Sequence, residues 1–356
     1  MRQLPPAAAP GLRQYRETVD IQPGWLANLP ADPIQAIIRS KHSGAGLRLL
    51  ALLVDHWRMP SRRLRSQLRR LAMESGPVTA VKGRQRQDGS WPSGGDQAPS
   101  KESRQLDYIT LLENLHALSQ SGATHGWPVV KRGLRHLLLH QQPDGRFPGL
   151  YHHHAATGGL LLALGLATSP AVHRAAHWIG ARQRPDGGWL HPHMPAKGSA
   201  SCIWTTAEVL AFLTRYPSMT LKETFPAAAE FLLDRALQPN TTPLLATADA
   251  WNRFAVGSRG ESLFRGGTLK VLDSLARAGF TPADGRFRKL YDWLINSQLP
   301  DGLFPAAAGR PEGDPLVTVA VLELINRIES TRPPGHKAKS ADSGLISGQI
   351  DRSDEA

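Results

Sequence analysis

Three residues of chemically versatile types recur at a nearly constant interval along the chain. Asp107, His154 and Cys202 are separated by 47 and 48 residues. A carboxylate, an imidazole and a thiol can ligate a metal ion or transfer protons. The interval predicts one residue from each of three successive structural units, so we expect the three side chains to converge. A structural role is the alternative, with Cys202 as a small core residue and Asp107 bonded to a neighbour.

A second set of candidates surrounds the stretch "ATADAWNRF". Asp249 is a lone carboxylate there, and Arg253 and Arg265 are the charges best placed for an anionic substrate. A guanidinium group matches the oxygens of a phosphate with a planar fork. The alternative is that these arginines pair with Asp249, Glu261 or solvent. The aromatic residues expected to line an apolar pocket below them are Trp204, Trp251 and Phe254.

A seven-residue motif, Gln-x-x-Asp-Gly-x-(Trp/Phe), occurs four times. The copies span residues 85–91, 141–147, 183–189 and 298–304, and a decayed copy lies near Gln238. The glycine allows a left-handed turn, and the aspartate can bind backbone amides at that turn. The aromatic residue can pack over the turn. The motif therefore predicts a structural clasp that joins repeated units, not a catalytic site.

Two kinds of helix alternate around these motifs. One kind starts with a capping residue and a proline, as at Ser169-Pro170 and Thr281-Pro282, and is apolar along one stripe. The other kind is apolar nearly all round, as in 207–216 and 316–325. A helix that is apolar on every face is buried on every face. Six such pairs predict an all-α fold, an (α/α)6 toroid with an outer ring wrapped on an inner ring, and an open helical solenoid is the structural rival.

Composition narrows the class of partner. The chain has 356 residues, a net charge of +12 and a single cysteine. This balance favours anionic partners, and the arginine-rich segment 58–71 is a candidate for peripheral contact with an anionic membrane. Nucleic acid is not the expected partner, because no motif of a nucleic-acid-binding module accompanies the segment. We expect a cytoplasmic protein with a flexible segment 1–24, a toroid domain 25–330 and a disordered tail 331–356.

The four motif copies resemble the Gln-Trp repeat of triterpene cyclases and of the wider prenyltransferase/squalene-oxidase repeat proteins. The likeness covers roughly residues 25–330, and "CIWTTAEVLAFL" and "WNRFAVG" look more like the small stand-alone bacterial members. The resemblance implies a toroid with a central cavity. It also implies a terpenoid cyclase- or prenyltransferase-like function on an isoprenoid or related apolar substrate.

Departures from the family pattern leave other functions open. Polycyclising members use an Asp-x-Asp-Asp stretch as proton donor; this chain has none, and Asp249 is the nearest candidate. Asp, His and Cys are the zinc ligand types of protein prenyltransferases, so Asp107, His154 and Cys202 are also candidate zinc ligands. The alternatives are a non-catalytic toroid that binds a lipid or peptide, and a carbohydrate-active (α/α)6 enzyme, which would require paired carboxylates across an open cleft.

Overall fold

The computed structural model describes residues 29–56 except 41, then 76–93, 101–191, 200–217, 220–238 and 267–331, with the single positions 26, 70, 73, 74, 251, 252 and 254. Several predictions concern residues outside these ranges. The residues involved are Asp249, Arg253 and Arg265, most of the basic segment 58–71, and the two predicted terminal segments.

Twelve α-helices occur in the described part of the chain, and they alternate between two rings. The outer helices are α1 (Pro33–Ser40), α3 (Gly76–Gly83), α5 (Pro128–Leu138), α7 (Pro170–Gly180), α9 (Thr224–Leu233) and α11 (Gly285–Ile295). The inner helices are α2 (Ser43–His56), α4 (Lys101–Gln120), α6 (Tyr151–Ala163), α8 (Ile203–Leu213), α10 (Thr268–Arg277) and α12 (Pro315–Thr331). A short 3-10 helix, Thr220–Glu223, precedes α9.

The burial of the helices follows the predicted division. Every residue of α8 is buried, as expected for an inner helix that is covered on all sides. The outer helix α5 buries one stripe, which includes Val130, Leu134 and Leu137. Among the described residues, the β-type pairing is one isolated bridge between Pro305 and Gly313.

Helix starts were predicted with mixed success. Ser169 caps α7 and accepts a hydrogen bond from the backbone N–H of Ala171, as predicted. The prediction that a helix starts at Thr281-Pro282 was wrong: α11 begins at Gly285, because the Asp284 carboxylate accepts from two backbone N–H groups there.

The ring is closed. Consecutive inner helices from α4 to α12 contact one another, α12 contacts α1 and α2, and Arg48 on α2 donates a hydrogen bond of 2.8 Å to Gln120 on α4. Gln298, near the end of the last repeat, donates to the backbone oxygen of Ala31 at 3.0 Å and accepts from its N–H at 3.1 Å. These contacts join the first unit to the last, so the toroid prediction is confirmed and the open solenoid is excluded.

The repeated motif is the clasp that the sequence predicted. In the third copy, the Gln183 side-chain amide donates to the backbone oxygen of Gly187 and to that of Thr224 at the start of the next outer helix, both at 2.8 Å. Gly187 has a φ of +84°, and a Cβ there would lie 2.2 Å from the Ala227 oxygen. Trp189 is fully buried, and its indole N–H donates to Ile179 at 2.8 Å.

The same pair of bonds from the glutamine recurs in the other three copies, with equivalent acceptors. The acceptor pairs are Gly89 and Val129, Gly145 and Ala171, and Gly302 and Ala31. The decayed copy differs, because the Gln238 amide donates to the Asp234 oxygen within its own unit. The clasp therefore holds each outer helix against the turn of the preceding unit.

Candidate functional site in the ring lumen

In four of the inner helices, α6, α8, α10 and α12, one side chain near the start of the helix anchors it to the preceding clasp. Thr206 accepts a hydrogen bond from the N–H of Trp189, and Thr318 accepts one from the N–H of Phe304. Thr268 uses its hydroxyl in the opposite sense, and donates to the Trp251 oxygen at 2.6 Å. His154 occupies the same position in α6, where it accepts from the N–H of Phe147 at 3.0 Å. These four positions are equivalent and fix the register of the inner helices.

His154 is therefore an anchor in this structure. Because its Nδ1 accepts from Phe147, its Nε2 carries the proton and donates to the Ala175 oxygen at 2.9 Å. Burial lowers the pKa of His154 to about 4, although the bond to Ala175 acts in the opposite direction. A neutral imidazole with both nitrogens engaged has no lone pair left for a metal ion.

Cys202 and Asp107 lie in different surroundings from His154. Cys202 precedes the anchor Thr206 by four residues, which is one helical turn or ~6 Å along the axis. Burial raises the pKa of its thiol, which favours the neutral form. Asp107 is exposed and accepts from the N–H and the hydroxyl of Ser93 at 3.0 and 2.7 Å.

The three candidate zinc ligands have different contacts and burial in this structure. Among the described residues, which include all three, no group of three or more His, Cys, Asp or Glu is arranged to hold a metal ion. His154 is an anchor, whereas Cys202 lies one helical turn before the anchor of its own helix, Thr206. The regular spacing of the three residues therefore does not reflect equivalent positions. Zinc binding by the protein stays a prediction, which direct metal analysis of the purified protein can test.

The predicted aromatic residues are all buried. Trp204 packs edge-on against Trp251 with ring centroids 5.1 Å apart. The Phe254 side chain packs against that of Trp293 on the outer helix α11, with ring centroids 5.3 Å apart. It therefore contacts the outer layer of helices. Trp204 lies on an inner helix and is the one of the three best placed to border the lumen. The predicted pocket with Arg253 and Arg265 involves residues outside the described ranges.

The inner helices carry stripes of partly exposed residues on otherwise buried surfaces. Neighbouring inner helices and the outer ring cover the other faces of each inner helix, so we infer that the stripes face the lumen. Successive members are spaced by four, three and four residues on α4, α6 and α12. The stripes are Ile109, Glu113, His116 and Gln120 on α4, His152, Ala156, Gly159 and Ala163 on α6, and Leu316, Ala320, Glu323 and Arg327 on α12.

The remaining inner helices fit the same register. On α8 the least buried positions are Glu208 and Ala211, and Arg215 follows them at the same spacing. On α10 the partly exposed residues are Lys270, Asp273 and Arg277, and α2 contributes Arg48. The stripes therefore place charged groups of α2, α4, α8, α10 and α12 in one interior region.

Charged groups dominate one side of this lumen. Lys270 and Glu208 form an ion pair between adjacent inner helices. Arg48 holds Glu323 with two nitrogens, at 2.7 and 3.1 Å. His116 lies near them; burial and then the charges of Lys270, Arg48 and Arg215 lower its pKa to about 4. The lumen therefore has a positive potential around His116.

Asp273 is the centre of a second charge cluster. Its carboxylate accepts from Arg215 at 3.1 Å, from Arg277 at 2.9 Å and from Arg327 at 3.2 Å. Burial alone raises the pKa of Asp273, but the three arginines outweigh burial and hold the pKa at about 2. We missed this cluster in the sequence. A signal was present, because each arginine follows an anchor threonine by nine residues.

The α6 wall of the lumen carries small residues. Ala156, Gly159 and Ala163 are the members of the α6 stripe that follow His152. Among the described residues, a Cβ added to Gly159 would meet no atom within 4 Å, whereas one added to Gly158 would lie 2.3 Å from the Phe212 ring. No described residue fills the space next to Gly159, which lies on the side of the helix that faces the ring centre.

Comparison with protein-family models and with curated proteins finds no match. The similar solved structures include a protein from Actinoplanes, 19% identical over 81% of this chain and 90% of that chain, with a TM-score of 0.46. The type II terpene cyclase MstE from Scytonema is 14% identical over 86% of this chain and 98% of that chain, with a TM-score of 0.48. A polysaccharide lyase is 14% identical over 86% and 93%, with a TM-score of 0.41. Because these TM-scores are below 0.5, the toroid assignment rests on the helices and clasps of this chain. No helix in the described part of the chain is long and apolar enough to span a bilayer.

Proposed function

We propose that the protein binds an isoprenoid or related apolar molecule in the ring lumen and acts on it as a terpenoid cyclase- or prenyltransferase-like protein. The open space beside Gly159 is the observation that carries this proposal, since small residues border it. Concave sites with apolar walls and a few placed polar groups are the usual form of small-molecule sites. The Gln-Trp resemblance supplies the isoprenoid class.

The charged side of the lumen gives such a ligand an orientation. An apolar chain would lie against the stripe of α6, with any polar end toward the groups of α8, α10 and α12. The basic segment 58–71 would bring the ring to anionic membranes, where apolar substrates are dissolved. This placement is in keeping with a cytoplasmic, membrane-peripheral protein.

Non-catalytic binding is the second candidate, and one observation favours it. Cyclisation of the proton-initiated type requires a carboxylic acid that carries its proton. Asp273 does not meet this requirement, because three arginines hold its pKa at about 2 and keep it a carboxylate, and Glu208 and Glu323 are each ion-paired to a cationic side chain. The same pairing weakens a carbohydrate-active mechanism, which needs carboxylates free to act on a sugar. Asp249 stays the candidate acid for the enzymatic proposal.

Incubation with candidate substrates separates these functions. Purified full-length protein is incubated with geranylgeranyl diphosphate, geranylgeraniol or squalene, and the extract is examined by gas chromatography and mass spectrometry. A cyclised product that is lost in Asp249→Asn supports the enzyme. Tight binding without any product supports the binding protein instead. Failure of all three compounds to bind would overturn the isoprenoid proposal in both forms.

A further inference from the structure

Three arginines occupy equivalent positions on, or just beyond the end of, three successive inner helices. Arg215, Arg277 and Arg327 each follow the anchor threonine of their unit by nine residues, and they belong to the stripes that face the lumen. All three point one nitrogen at the same acceptor, the carboxylate of Asp273, at 2.9–3.2 Å. The register of the toroid thus gathers three guanidinium groups in one place.

The cluster has more positive charge than it neutralises. One carboxylate faces three guanidinium groups, so two positive charges in this described cluster are not balanced by Asp273. A guanidinium has five N–H donors, and each of these arginines uses one nitrogen on Asp273. The arginine side chains are 35%, 21% and 30% exposed, so a ligand can reach their other donors.

Arg48 provides a contrast within the same lumen. It gives two nitrogens to Glu323 and a third to Gln120, which engages all three of its nitrogens and balances its charge. Among the described residues, the three arginines around Asp273 share one carboxylate. Asp273 instead acts as a brace, because its charge keeps three mutually repelling cations side by side.

We propose that Arg215, Arg277 and Arg327, braced by Asp273, form a binding site for a phosphate or diphosphate group. The inference rests on the proposed function in one respect: the group would be the charged end of an isoprenoid whose chain lies against α6. Guanidinium groups bind phosphoryl oxygens through paired, charge-assisted hydrogen bonds. The positive potential that acts on His116 in the same lumen supports an anion there.

Calorimetric titration of the full-length protein with inorganic pyrophosphate and with inorganic phosphate tests the site directly. The variants are Arg215→Gln and Arg327→Gln, which remove one charge and leave two arginines on Asp273. The matched control is Arg286→Gln, because Arg286 is ion-paired to Glu230 and Asp234 on the outer ring. We expect pyrophosphate to bind about ten-fold or more weakly in each lumen variant and unchanged in the control.

Two results would overturn the anion site. One is the absence of pyrophosphate and phosphate binding to the wild-type protein at low salt. The other is an equal loss of affinity in Arg286→Gln, which would mean that overall charge and not the cluster binds the anion. Thermal unfolding of each variant checks that the fold is retained.

Binding measurements with isoprenoid ligands distinguish a failure of the anion site from a failure of the proposed function. If geranylgeranyl diphosphate binds more tightly than geranylgeraniol and the difference disappears in Arg327→Gln, both are supported. If pyrophosphate binds but neither isoprenoid does, the anion site stands and the isoprenoid function fails. If both isoprenoids bind equally and pyrophosphate does not bind, the function stands and the anion site is wrong.

Discussion

Two adjacent glycines of α6 give a sharp test of which face of this helix is open. The same substitution is made at each position, Gly158→Ala and Gly159→Ala, so that the gain in helix propensity, about 0.5–1 kcal/mol, is shared. The new methyl group at residue 158 would lie 2.3 Å from the Phe212 ring, which is 1% exposed and has no room to move away. At residue 159 it would meet no atom within 4 Å.

The expected effects have opposite signs. Overpacking a rigid core costs about 1–3 kcal/mol, which exceeds the propensity gain, so Gly158→Ala should lower the free energy of unfolding. Gly159→Ala should raise it by up to about 1 kcal/mol. Urea unfolding followed by circular dichroism measures both. If the two variants unfold at the same urea concentration, or if Gly159→Ala is the less stable one, the assigned register of α6 is wrong.

Further predictions concern the clasp and the anchor. Trp189→Ala should destabilise the protein by about 3 kcal/mol or more, because the ring is fully buried and its N–H is bonded; a stable variant that loses ligand binding would show instead that the ring lines a site. His154 and His116 have pKa values of about 4 in the folded protein, below the ordinary 6.5, so the folded state favours their neutral forms. Stability should therefore be complete above pH 6.5 and fall as the pH drops toward 4, by up to about 3 kcal/mol for each histidine. His154→Thr, which copies the other anchors, should remove its share of this loss, and an unchanged pH dependence of urea unfolding would contradict the assignment.

The clasps and the ring could be predicted because their information is local. Each motif contains the glutamine, the glycine and the aromatic residue that make the contacts, and the recurrence of the motif shows that the chain is built from repeated units. The alternation of helix types then gives two rings. None of this depends on the placement of a helix to within one turn.

The lumenal site depends on the register of each inner helix to within one turn. The sequence does not give this register directly, so most of the site was not predicted. Spacing suggested that His154 and Cys202 are equivalent, but His154 corresponds to Thr206, four residues beyond Cys202. This difference of one helical turn makes His154 a clasp anchor and Cys202 the buried N-cap residue of α8. Lumenal charges such as Lys270 and Asp273 look like isolated polar residues until the anchors align the helices.

The central claim is that an isoprenoid binds in the lumen next to α6. Gly159→Phe would fill the open space there, and Gly285→Phe would place the same ring at an exposed position on the outer helix α11, where an added Cβ also meets no atom within 4 Å. The measurement is the affinity and stoichiometry of geranylgeranyl diphosphate by native mass spectrometry and tryptophan fluorescence. We predict one molecule per chain for the wild-type protein and Gly285→Phe, and binding about ten-fold or more weaker for a folded Gly159→Phe. Wild-type affinity in a folded Gly159→Phe variant would contradict the claim.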